Sequence, residues 1–451
     1  MTADGEGAPS ARQRAFEILQ RVEESDAFAS PLLDFHEERL DDPRDAALLH
    51  DTVLGVLRWQ ALLDHAIGRV ASRPPAAMDP RVRRALRIGA YALLFQDRVP
   101  AFAAVDTAVD LIKGRAPRSR VSFVNGVLRA LARRGRDALP GEATPGDVAA
   151  LAICHSHPEW WVRGKLARLG WDRTVELLRG DNRPAATVLR PDLKRATPRE
   201  LQARLAAEGV RTERCALVRE ALRVVAGPFR RTRAFREGRF WVQDEASQLV
   251  TDLLGRVLRL RVLDLCAAPG IKTLRLRESL PVGGTIVAVD LDPRRLRRLL
   301  QNVARVGATE IFAVAADASA SLVPLRGPFD HVLVDAPCSG TGTLRRHPEI
   351  RWRLRQRDLR SLAERQLRIL ETAGTLVGSG GTVLYSVCSL EPEEGEDVVA
   401  AFLARHPDFD VVDGRERVGP PARGRVAEDG ALRTSPADDM DGFFGVVLTR
   451  R

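Results

Sequence analysis

From about residue 245 onward the chain alternates short, continuously apolar runs with helical stretches: RVLDLC (261–266), TIVAVD (285–290), IFAVAAD (311–317), HVLVDAP (331–337) and GTVLYSVC (381–388). Runs that are apolar throughout belong to strands covered on both faces, and strands that alternate with helices are joined by crossovers. This pattern leaves few folds, and a doubly wound, Rossmann-like α/β domain over residues 241–451 is the expectation. In such a sheet ligands sit at the carboxyl ends of the strands. The chemically unusual residues of this half lie at those ends.

The first strand leads into CAAPGIKT, Cys266 to Thr273. Small residues there let backbone N–H groups approach a ligand at the start of the following helix. Asp290 closes the second strand 20 residues after Gly270, where a carboxylate can accept both hydroxyls of a ribose. Asp317 and Asp335 close the third and fourth strands. A single strand-end aspartate is ordinarily a helix cap or turn residue; a register of them behind a small-residue loop suits an adenosine-containing ligand. The dinucleotide fingerprint G-x-G-x-x-G and the P-loop pattern are both absent, APGIKT having one glycine where the latter needs two. S-adenosylmethionine (AdoMet) is the remaining common adenosine ligand for this topology.

Five cysteines (154, 215, 266, 338 and 388) are scattered, odd in number and without a C-x-x-C pair, so free thiols are expected and no metal. Cys338 and Cys388 both fall at strand ends beside the expected cofactor. A buried cysteine is usually a small hydrophobe. Many amino-methyltransferases carry Asn/Asp-Pro-Pro-aromatic after the fourth strand; Asp335-Ala336-Pro337-Cys338 has a thiol where that ring would stack. A thiol helps when the methyl acceptor is an unreactive ring carbon such as C5 of a pyrimidine. Its addition to C6 turns the ring into an enamine whose C5 can attack a methyl sulfonium, and a carboxylate near N3 and N4 stabilises the protonated ring. Residue types alone leave open which cysteine attacks.

Residues 11 to about 136 read as successive amphipathic helices. In ARQRAFEILQRV, Ala11, Ala15, Ile18, Leu19 and Val22 share one face, and Pro80 stands at a first helical position. An all-α domain over 1–140 follows. GRDALPGEATPGD (135–147) is a Gly/Pro-rich linker, and 150–240, with a helix in PRELQARLAAEGV and short strands in TVLRP and ALRVVAG, is a small α+β linking module.

Hydrophobic residues at 45% and charged ones at 29% describe a soluble globular protein, with no membrane-length apolar run and no leader, and a cytoplasmic location is expected. The net charge of +10 favours a polyanionic partner, nucleic acid first. Only Lys113, Lys165, Lys194 and Lys272 are lysines among 70 basic residues, so a lysine kept at Lys272, the only one in the C-terminal half, is informative.

VLDLCAAPGIKT, VAVDLDPRRL, FDHVLVDAPCSGTGTLRRHPEIRW and GGTVLYSVCSLEPEEGEDVV resemble, in order, the motifs of the NOL1/NOP2/Sun family of RNA cytosine-C5 methyltransferases. VNGVLRALARR in the helical domain resembles the NusB-like RNA-binding domain of the bacterial 16S ribosomal RNA branch, and HSHPEWWVRGKLARLG resembles that branch's next segment. The resemblance implies methylation of a cytosine of cytosine-967 type in 16S ribosomal RNA, on RNA short of the fully assembled subunit, by a monomer without membrane contact. It makes Cys388 the nucleophile and Cys338 the group that assists proton removal and release. It has Asp335 hold the base, with Lys272 near its carboxylate. Cys266, Ala267, Ala268, Pro269, Gly270, Ile271 and Lys272, with Asp290, Asp317 and Asp335, would bind AdoMet.

Three positions depart from the family pattern. Ile271 stands where a second glycine of the cofactor loop is usual, which bears on cofactor affinity; Val387 replaces a threonine before Cys388; LRPDLK lacks an asparagine. Two other readings stand beside the enzyme: an RNA-binding assembly factor with weak or no methyltransferase activity, and the same chemistry on transfer RNA or another ribosomal cytosine. RRHPEIRWRLRQRDLR (345–360), with seven arginines around Trp352, reads equally as a solvated helix or as an RNA-backbone contact.

Overall fold

The computed structural model describes residues 9–37, 39–255, 260–320 and 323–451. The chain divides into two compact units, one of Met1–Arg183 with Leu344–Arg353, the other of Pro184–Thr343 with Leu354–Arg451.

The first unit is helical. Ala11–Glu24 begins with a capping box between Ser10 and Gln13 and buries Ala11, Ala15, Phe16, Ile18, Leu19 and Val22, the expected face with Phe16 added. Pro43–Arg58 and Pro80–Phe95 both start with proline at the first turn behind an aspartate cap, Asp42 and Asp79. Gly55 lets those two helices close: a Cβ there would lie 2.0 Å from the Tyr91 ring. Glu159–Asn182 breaks at Gly170, whose φ of 73° is reached at little cost only by glycine. Among the buried side chains are Arg84 and Arg87, paired with Glu23 and Asp64.

Ten residues from far along the chain belong to this unit. In the segment 344–353, Arg351 is 3% exposed and donates from Nη1 to the carbonyls of Arg58 (3.1 Å) and Ser156 (3.1 Å) and to Asn182 Oδ1 (2.8 Å), and from Nη2 to the carbonyl of Asp181 (2.9 Å). Trp352 Nε1 donates to the Leu57 carbonyl and Arg353 to those of Val22, Ser25 and Ala27. Glu349 accepts from the Ala29 amide. Arg345 and Arg351 are buried and Arg351 serves as a structural donor, so neither reading applies to that part of the arginine-rich stretch; Arg355, Arg357 and Arg360 are exposed. Trp352, too, is committed to a backbone carbonyl.

The second unit opens with an antiparallel sheet in the order β2-β3-β1-β4: β1 Val188–Pro191, β2 Arg211–Arg214, β3 Leu222–Ala226 and β4 Phe240–Val242. The helix Pro198–Ala207, capped by Thr197 and Glu200, puts Leu201 and Leu205 into a core with Leu189, Leu222 and Phe240. The large sheet follows with β5 Arg261–Asp264, β6 Thr285–Asp290, β7 Ile311–Ala315, β8 Phe329–Asp335, β9 Val377–Val387, β10 Phe409–Val412, β11 Leu432–Arg433 and β12 Phe444–Arg450. Its order is β10-β12-β9-β8-β5-β6-β7, with β11 beside β12. β7, β6, β5, β8 and β9 are parallel, as expected for a doubly wound fold, while β12 and β10 add antiparallel, which makes the sheet mixed.

Side chains alternate across this sheet. Val262, Ile286, Leu333 and Leu384 pack with Ala246, Leu249, Leu274, Leu299 and Val303 from the helices Glu245–Asp252, Ile271–Arg277 and Pro293–Val306. Leu263, Val289, Val332, Val383 and Tyr385 pack on the other face with Ile369, Leu370, Ala373 and Phe402 from Gln356–Leu376 and Glu396–Arg405. Full burial of such a Leu, Ile or Val contributes about 1.5–3 kcal/mol. Two covered faces hold the strand ends in fixed register, and the candidate site stands on those ends.

Candidate active site

The loop after β5 is shaped by its neighbours. Ala267 N donates to the Val289 carbonyl (2.8 Å) and Ala268 N to Asp290 Oδ2 (3.2 Å). Arg295 and Asn302, on the helix Pro293–Val306, donate to the carbonyls of Ala268 and Pro269. Gly270 caps the helix Ile271–Arg277 in the left-handed region at φ 95°, and a Cβ on it would meet Leu299 Cγ at 2.8 Å. Ile271 is the first helical residue and packs part of its side chain against the core; the left-handed position of this loop is Gly270. Cys266 is half-buried, and burial pushes its thiol up, with Asp264, Asp335 and Asp290 adding to the effect.

Asp264, Asp290 and Asp335 end the neighbouring strands β5, β6 and β8. Asp264 is 1% exposed; its Oδ2 accepts from Thr273 Oγ1 (2.7 Å), while Oδ1 is buried with no hydrogen-bond partner among the described residues. Burial pushes its carboxyl up to about 7, opposed by the Thr273 hydrogen bond and aided by the Asp335 charge. Asp317 lies two residues beyond β7 and its Oδ1 accepts from the amide and hydroxyl of Ser319, a turn role. AdoMet fits this donor set: three acids and an unpartnered buried oxygen beside a small-residue loop match a ligand with a sulfonium, an ammonium and two ribose hydroxyls.

Lys272 and Asp335 meet. Lys272 Nζ donates to Asp335 Oδ2 at 2.6 Å and lies 4.8 Å from the centre of the Phe443 ring, and Ser386 Oγ donates to Asp335 Oδ1 at 3.0 Å. The lysine is buried, whereas the aspartate side chain is 31% exposed and can still meet a ligand.

The two cysteines also meet, Cys338 Sγ to Cys388 Sγ at 3.4 Å. The hydrogen bond with Cys388 and then burial push the Cys338 thiol well up. Behind them lies a set of residues that sequence reasoning missed: Ser339 and Ser389, each directly after a cysteine, with Gln366, Tyr385 and Glu394. The recurrence of Cys-Ser at 338–339 and 388–389 was the available signal. Ser386 and Asp264 were missed as well.

The family description "16S rRNA methyltransferase RsmB/F" matches residues 256–449, "NusB family" residues 9–133, and the ferredoxin-like domain of RsmF/B-like methyltransferases residues 157–228. A probable ribosomal RNA small subunit methyltransferase B of Bacillus subtilis (strain 168) is 33% identical, covering 96% of this chain and 97% of its own. The ribosomal RNA small subunit methyltransferase B of Pseudomonas syringae pv. tomato is 33% identical, covering 90% of each. The solved structure of a protein designated PH0851 superposes with a TM-score of 0.83 at 27% identity over 99% of this chain and all of that one. Among the described residues no helix is long and apolar enough to cross a membrane. With likeness over nearly its full length, the chain belongs to the RsmB/F family of AdoMet-dependent small-subunit ribosomal RNA methyltransferases.

Proposed function

We propose that this protein methylates C5 of one cytosine in 16S ribosomal RNA, of the cytosine-967 type, through a covalent bond between Cys388 and C6 of the base. The observation that carries the reading is the pair of thiols 3.4 Å apart at the same sheet edge as the Lys272–Asp335 pair. The two thiols are alike in position, and it is the family resemblance that assigns the attack to Cys388. As its sulfur bonds to C6, the Cys388 S–H proton passes to N3, and the C5–C6 π pair becomes the nucleophile at C5. Asp335, steadied by Lys272 and Ser386, accepts from N4 and the protonated N3 of the ring and stabilises the charge that develops there. Bound AdoMet supplies an electrophilic methyl group. After methyl transfer, Cys338 gives up its own thiol proton to solvent and takes the C5 proton as a thiolate. The electron pair of that C–H bond re-forms C5=C6 and expels the Cys388 thiolate.

The backbone of the loop at 266–270, with Lys272, Asp290 and Asp335, would hold AdoMet; Asp317 joins them through the family pattern. The helical residues 1–140 would supply RNA affinity, with 150–240 as the linking module, on 16S RNA that is not yet a complete subunit. An inactive assembly factor was suggested by Ile271, which lies in helical backbone where a glycine is not required. Bisulfite sequencing of ribosomal and transfer RNA from cells with and without the gene is the test. One 16S cytosine losing its methyl group without the gene is expected; an unchanged 16S map overturns the proposal.

A further inference from the structure

We propose that Glu394 is a positioning residue for the methyl-transfer chemistry: its carboxylate ties the loop carrying Cys338 to the loop carrying Cys388 and sets the spacing of the two sulfurs. The proposal rests on the adduct reading above. Glu394 is fully buried, at 0% exposure. Its Oε1 accepts from the Ser339 amide (2.8 Å) and from Gln366 Nε2 (2.9 Å), and its Oε2 accepts from the hydroxyls of both Ser339 and Ser389, the latter at 2.5 Å. Each serine directly follows a cysteine. The two hydroxyl oxygens are 3.1 Å apart, so one carboxylate oxygen clasps both loops at a single point.

A second layer fixes the clasp from behind. Gln366 Nε2 also donates to the carbonyl of Pro337, the residue before Cys338, and Tyr385 donates its hydroxyl to the backbone carbonyl of Glu394 (2.6 Å). The Gly342 amide donates to the carbonyl of Cys388 itself (3.0 Å). Among the described residues, every group donating to the Glu394 carboxylate is neutral. Burying a carboxylate without a counter-ion is unfavourable unless its lone pairs are filled, so a neutral side chain would serve packing better. An acceptor-only group with four lone-pair sites can, however, draw donors from two separate loops to one place, which an amide with its two N–H groups cannot fully do.

The spacing can be read without reference to methyl transfer. Phenylarsine oxide bridges two neighbouring thiols, two S–H bonds being exchanged for two As–S bonds with loss of one water. Wild-type protein is expected to take up one arsenical across Cys338 and Cys388, seen as a mass gain that Cys338→Ala and Cys388→Ala each lose. In Glu394→Ala the capture rate should fall about tenfold and kcat about 100-fold, while KM for RNA and AdoMet affinity stay within about twofold of wild type, the pattern of misplaced reacting groups. Glu394→Gln keeps the acceptor for Ser339 N–H and Gln366 and faces two hydroxyls that can rotate to accept, so it should recover part of both readouts. Should Glu394→Ala not fold, Glu394→Gln and the double variant Ser339→Ala/Ser389→Ala decide by the same pair of measurements. Wild-type capture, or slowed capture with wild-type kcat, overturns the proposal. Full turnover in both cysteine variants would instead remove the adduct reading, and the capture rate would still decide whether Glu394 sets the spacing.

Discussion

The two functional loops of the large sheet are built on opposite plans. The cofactor loop at 266–270 is held from outside by Asp290, Arg295 and Asn302, and it leaves polar capacity unspent: Asp264 Oδ1 has no partner among the described residues and the Asp335 side chain is 31% exposed. The loops of Cys338 and Cys388 are held from within, with the lone pairs of Glu394 filled by Ser339, Ser389 and Gln366. One end is arranged to receive a ligand that comes and goes. On the proposed function, the other keeps two sulfurs in place while a bond between Cys388 and the base forms and breaks. The sites should therefore respond differently to substitution: the first through affinity and pH, the second through rate.

The largest effect is expected at the thiols. Cys388→Ala should abolish methyl transfer and give no covalent species, because no enamine can form. Cys338→Ala should still add to the base and transfer the methyl group but release it poorly, leaving a protein–RNA species that survives denaturing gel electrophoresis. Accumulation in Cys388→Ala instead would reverse the two roles. Wild-type turnover in both would reduce the cysteines to packing residues.

The unequal legibility of the two regions has a physical cause. The form of the 266–270 loop and the strand-end positions of Asp290 and Asp335 were readable because their determinants are local; Asp264 was passed over as part of an apolar run, and Asp317 lies two residues beyond the strand it was expected to close. The proximity of Lys272 to Asp335 came through the family resemblance, not through any spacing in the chain. Burial of Arg351 was out of reach, since the carbonyls that receive it lie 170 to 293 residues away, and a run of arginines looks the same in water and in a core. Glu394 was hidden for a similar reason. Within EPEE it resembles the solvated start of a helix, and only the fold turns it toward the two serines.

A smaller effect, on stability, sharpens the description of the cofactor end. Asp264 carries a carboxyl raised by burial from an ordinary 3.8 to about 7. Between those values the folded protein binds more protons than the unfolded chain, so stability falls as pH rises from about 4 to about 7 and stays lower above. The full amplitude is on the order of 2–4 kcal/mol. Asp264→Asn should flatten that slope in denaturant titrations run at pH 5 and pH 8. A slope unchanged by the substitution would mean that Asp264 is ionised and compensated in the free protein, and the cofactor end would then be as fully satisfied as the thiol end.

The smallest effect concerns Ile271, and it asks whether the cofactor loop depends on glycine freedom at one position or two. Only Gly270 has positive φ there; Ile271 begins the helix Ile271–Arg277 and packs partly against the core around Leu274 and Leu299. Ile271→Gly should thus cost about 1–2 kcal/mol of stability, from helix propensity and lost burial together, and leave AdoMet affinity within about twofold by calorimetry. Asp290→Ala is the counterpart, since it removes a carboxylate that fixes the Ala268 amide and that, on the proposed function, would accept the ribose hydroxyls; it should weaken AdoMet binding by about 1–3 kcal/mol. If Ile271→Gly bound AdoMet tenfold more tightly, the isoleucine side chain would be limiting the loop, and cofactor affinity in this chain would be set by steric fit at 271, with the carboxylates secondary.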